Sequence, residues 1–122
     1  MIESIESYKN GWESTKNRSE EAFKQFLIRE KEFVDFKDNA SQFYKHVWCG
    51  ILHQSETTGG WKIQRKGKIF EDSTKSINAT IFLIKMKKTL NSYTNNLISA
   101  DWDSENWINL RKKLQKVIKN CE

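Results

Sequence analysis

With 122 residues, a net charge of +5 and 30 % charged side chains, the chain has the size of one domain. Seven Phe, five Trp and three Tyr supply enough apolar bulk for a core despite a mean hydropathy of -0.77, which excludes an intrinsically disordered segment. The longest apolar run, 81 to 84, is too short to span a membrane. The acidic start Met-Ile-Glu-Ser-Ile-Glu lacks the apolar stretch of a signal peptide, and Cys49 and Cys121 make no disulfide framework. A reducing, cytoplasmic setting without membrane contact is therefore expected.

There is no proline, so nothing forces a helix to break, and helical periodicity dominates. Ile2, Ile5, Tyr8 and Trp12 predict a short amphipathic helix that stops near Gly11. Asn17 or Ser19 then caps a helix over 20–37, whose apolar stripe is Phe23, Phe26, Leu27, Phe33 and Val34. Asn39 opens another helix, over 40–54, with Gly50 inside it. An internal glycine costs a helix about 1 kcal/mol and so points to close packing or a functional constraint.

From Ser55 to Gly60 the residues are those of a loop, and Trp61 to Phe70 read as a small β-hairpin-like insertion. Helical spacing resumes over 76–99 through Ala79, Phe82, Leu83, Met86, Leu90, Tyr93 and Leu97. A last helix, capped by Asp103 or Ser104, runs to about 120 with Trp107, Leu110, Leu114, Val117 and Ile118 on one face. The expected fold is mainly α: a single domain over 1–122, a bundle of four to five helices with the insertion near 61–70.

Charge is uneven. Residues 1–38 carry seven Lys/Arg and nine Asp/Glu, a net of -2, and residues 39–122 carry fourteen and seven, a net of +7. The basic face of the last helix and the cluster Lys62, Arg65, Lys66 and Lys68 are either solvated surface or a track for a polyanion such as RNA. Lys45 and His46 belong to the same candidate RNA-binding set.

Both histidines, His46 and His53, fall in the 40–54 helix. Seven residues apart, they project about 20° from one another around an ideal helix, with Cys49 and Gly50 between them. Two imidazoles on one polar face suit proton transfer. His46, Cys49 and His53 lack a fourth partner nearby for a tetrahedral metal site, so no metal or other cofactor is expected. Gly59-Gly60 lacks the lysine spacing of a phosphate loop, and there is no nucleophile elbow.

The stretch Phe43-Tyr44-Lys45-His46-Val47-Trp48-Cys49-Gly50-Ile51-Leu52-His53-Gln54 resembles the signature helix of HEPN domains, helical bundles of toxins, antiviral systems and RNA-processing factors. The family motif is an arginine, usually followed by a polar residue, with four to six residues before a histidine. His53 matches that histidine, Cys49 takes the polar place, and Trp48 stands where the arginine belongs. The resemblance implies a metal-independent endoribonuclease fold, with RNA as substrate, paired as a homodimer so that both motifs line one cleft.

In such chemistry a ribose 2′-hydroxyl attacks the adjacent phosphate, the histidine moves the proton, and the arginine clamps the phosphate. Tryptophan supplies no charge, so the resemblance implies a weak or inactive nuclease of toxin or defence type, with an antitoxin or regulatory protein as a further expected partner. The alternative, from another class, is a non-enzymatic helical interaction module in which Trp48, Trp61 and Trp107 serve packing or a partner surface.

Overall fold

The computed structural model describes all 122 residues. It is mainly helical. Its helices are α1 (Ile2–Asn10), α2 (Ser19–Arg29), α3 (Ala40–Phe43), α4 (Cys49–Gln54), α5 (Ala79–Ser99) and α6 (Glu105–Cys121). A small sheet contains β1 (Lys62–Gln64), β2 (Phe70–Glu71) and β3 (Ser76–Asn78). No helix is long and apolar enough to cross a membrane. The chain forms two compact units, residues 1–26 with 90–122, and residues 27–89.

In the first unit α1 stops where the periodicity predicts. Gly11 adopts φ 64°, a left-handed conformation that costs glycine little, and its N–H donates to the Ser7 carbonyl. Asn109 of α6 packs against Gly11 and donates its amide to the Lys9 carbonyl at 2.7 Å. Ile2, Ile5, Ala22, Phe23, Phe26 and Tyr93 are buried. The stripe of α6 is only partly used, because Leu114, Val117 and Ile118 remain exposed.

The second unit is built on aromatic rings. Phe36 is fully buried and meets Phe43 at 5.4 Å and Phe82 at 5.7 Å edge-on, and stacks on Phe70 at 4.8 Å. Trp61 stacks on Phe70 at 5.1 Å. Such pairs add about 0.5–1.5 kcal/mol each beyond the area they bury.

The predicted helix over 20–37 divides. Glu30 is extended (φ -77°, ψ 117°), and a 3₁₀ segment, Lys31–Asn39, comes next with a kink at Phe33. That break lets Phe33 and Phe36 both turn inward, whereas Val34, placed on the stripe by straight-helix spacing, is exposed.

The 61–70 insertion is β-structured, but its pairing is not that of a hairpin. β3 lies between the other two strands, parallel to β1 (Lys62 opposite Ser76) and antiparallel to β2 (Phe70 opposite Ile77). Ser76–Asn78, which helical spacing assigns to the following helix, is therefore the central strand, and α5 starts at Ala79.

Candidate functional site

Every residue singled out for chemistry or RNA contact between positions 45 and 68 lies in the second unit. The 40–54 segment is helical throughout but not uniformly α: Tyr44–Trp48 forms a π-helical turn between α3 and α4. A π turn shifts the phase of the helix beyond it and is often found at functional sites. The two histidines do not share one environment.

His46 is half-buried and turned to the 55–60 loop. Its Nδ1 lies 2.9 Å from the Thr58 hydroxyl in a hydrogen bond, and its carbonyl accepts from the Thr58 N–H at 2.9 Å. Gly59 (φ 61°) fits because it has no Cβ, which would stand 2.5 Å from His46 Nδ1. Gly50 has a matching role: a Cβ there would stand 2.6 Å from the Glu56 carbonyl oxygen. The close packing expected from an internal glycine is thus the approach of this loop.

His53 occupies the last turn of α4, exposed, and its imidazole makes no hydrogen bond within the chain. The helix ends at Ser55, left-handed at φ 60°, whose N–H donates to the Ile51 carbonyl. Ile51 and Leu52 beside His53 are also exposed, Leu52 to 60 %. Trp48 and Cys49 are half-buried, and Lys45 is exposed. No group of three His, Cys, Asp or Glu side chains is gathered in a way that could hold a metal ion.

Among the basic set, Lys62, Arg65, Lys66 and Lys68 are exposed, and Lys68 approaches Glu71 at 3.8 Å. Trp61 is only 4 % exposed, so it belongs to the core and offers no stacking surface beside those cations. The loop carrying Arg65, Lys66 and Lys68 is held by Asn78, a residue that periodicity alone overlooks. Its side-chain amide donates to the Gly67 carbonyl at 2.8 Å, and its Oδ1 accepts from the N–H groups of Thr80 and Ile81 at 3.1 and 3.2 Å. The signal that could have found it is a cap signature, Asn immediately before helical spacing that starts at Ala79.

Two carboxylates of this unit are electrostatically fixed. Hydrogen bonds from Lys85 (2.6 Å) and Lys88 (2.8 Å) hold Glu32 down to about 2, against a smaller opposing effect of burial. The Lys75 ammonium lowers Asp72 in the same way, and it also donates to Asn39 Oδ1 at 3.0 Å. In the first unit, burial and then the neighbouring Tyr8 raise the Tyr93 phenol. No protein-family model matches the chain, and no curated protein or solved structure does either.

Proposed function

We propose that this chain is an RNA-directed, HEPN-like domain derived from a metal-independent endoribonuclease of the toxin or defence type. His53 is its acid/base residue, and Trp48 occupies the place of the phosphate-clamping arginine. The observation that carries the reading is His53 itself: an exposed imidazole at the end of a helix, with no partner in its own chain. His46, by contrast, is bonded to Thr58.

The exposed Ile51 and Leu52 next to it support a homodimer that would cover them and bring two His53 side chains to one cleft. Lys45 and the exposed cations of 62–68 would contact the RNA backbone. Cys49, half-buried at the motif's polar place, would orient rather than attack.

Without the arginine, phosphate charge in the transition state goes unstabilised, a loss of about 10²–10³ in rate. RNA cleavage by the protein, its Trp48→Arg form and a Trp48→Arg/His53→Ala form, without divalent metal, tests this. Trp48→Arg should raise cleavage by about 10²-fold or more, and His53→Ala should remove the gain. If Trp48→Arg is folded but cleaves no faster, the nuclease descent is wrong and an interaction module, with half-buried Trp48 as packing, takes its place.

A further inference from the structure

The basic turn between β1 and β2 is a surface loop of Arg65, Lys66, Gly67 and Lys68, and such loops are ordinarily mobile. Here one buried side chain ties it down. Asn78 is only 3 % exposed and stands at the end of the central strand, where three sets of bonds converge. Its backbone N–H donates to the Ile69 carbonyl at 3.0 Å and its side-chain N–H to the Gly67 carbonyl at 2.8 Å. Its side-chain oxygen closes the first turn of α5 through Thr80 and Ile81.

The Gly67 carbonyl of the loop and the Ile69 carbonyl just after it are thus fixed to the same residue that starts a long helix. Gly67 takes φ 81°, which lets the chain reverse there. These two carbonyl groups are bonded to Asn78, and the cationic side chains are left on the exposed side.

We propose that Asn78 is a positioning residue that presets the Arg65–Lys68 turn as a phosphate-binding strip for RNA, an inference that rests on the RNA-directed reading above. A strip whose backbone is already ordered has only its side chains left to order when the polyanion arrives, so more of the cations' attraction appears as affinity. The roles of Asn78 are separable. Serine at this position still caps α5 through its hydroxyl oxygen but is too short to bond Gly67 as well. Aspartate keeps the capping oxygens and has no N–H to donate.

The test measures binding of a short oligouridylate over a salt series, together with trypsin cleavage and amide hydrogen exchange of the free protein. Binding by the unaltered protein should fall log-linearly with salt. Arg65→Gln with Lys66→Gln should reduce the steepness by about 1.4, the share of two phosphate contacts. Asn78→Ser should weaken binding by about 5- to 10-fold at an unchanged slope. In that variant trypsin should cut the free protein faster after Arg65 and Lys66, while the Thr80 and Ile81 amides stay protected from exchange.

Asn78→Asp should expose the same turn to trypsin and serves for that readout if the serine form is unstable, its added negative charge weakening polyanion binding further by repulsion. If the charge variant weakens binding but both folded Asn78 variants bind like the parent, Asn78 has no positioning role and only this inference is lost. If the parent shows no salt-dependent binding, or the charge variant binds unchanged, RNA contact at this turn is lost and the proposal goes with it.

Discussion

Alanine in place of Gly50 would ordinarily strengthen a helix by about 1 kcal/mol. At this position its Cβ would press on the Glu56 carbonyl, which is backbone and cannot swing away. The clash should win, and Gly50→Ala should destabilise by about 1–3 kcal/mol in urea unfolding. Tyr93 offers the opposite sign. Its hydroxyl is buried with no hydrogen-bond partner, so Tyr93→Phe should be neutral or stabilise by up to about 1 kcal/mol, read as a raised midpoint of thermal unfolding.

Glu32 sets a pH dependence. Its folded-state value of about 2 lies below the ordinary carboxylate value, so the stability it adds is complete above pH of about 4.3. That stability is lost as pH falls from there toward 2. Glu32→Gln should flatten the acid limb of the stability curve across that window. An unchanged acid limb would show that the lysine pair contributes nothing.

Helix α1 and its stop at Gly11 were legible because the apolar spacing and the glycine agree. The 40–54 helix was legible as a span, yet its π turn was not, since apolar spacing does not record which carbonyl each N–H reaches. Asn39 shows a different limit. It stands at the start of α3 as a cap signature suggests, but its side chain bonds to Asp72 and Lys75 instead, partners 33 and 36 positions away. Strand β3 was missed because Ser76-Ile77-Asn78 is short and runs straight into helical spacing. Its buried Ser76 and Asn78 carry no apolar alternation to mark a strand.

The ring cluster depends on the 3₁₀ segment that helical spacing also missed. Phe36 touches Phe33, Phe43, Phe70 and Phe82 at once. Phe36→Ala should therefore cost about 3–5 kcal/mol in denaturant unfolding.

For the molecule as a whole, the mainly helical class with a small β insertion came from composition and periodicity, because absent prolines and repeated apolar spacing both favour helices. The candidate site was legible in part. His53 could be chosen from the residues before it, whereas its exposure, the attachment of His46 to Thr58 and the part played by Asn78 all depend on chain segments brought together by folding. Association is the property that separates the nuclease-derived reading from a monomeric module. In sedimentation, Ile51→Asp with Leu52→Asp should convert a dimer to a monomer that remains fully helical. A parent chain that sediments as a monomer at high concentration would remove the paired-cleft mechanism.

The sheet's central strand is the last of the three in the chain. During synthesis β1 and β2 therefore emerge before either has its neighbour, with unpaired backbone edges. Only after β3 leaves the ribosome can both edges close, since Ser76 and Ile77 serve both. A nascent chain halted at Glu71 would be open to proteolysis and self-association, and one extended past Thr89, with the second unit complete, would not.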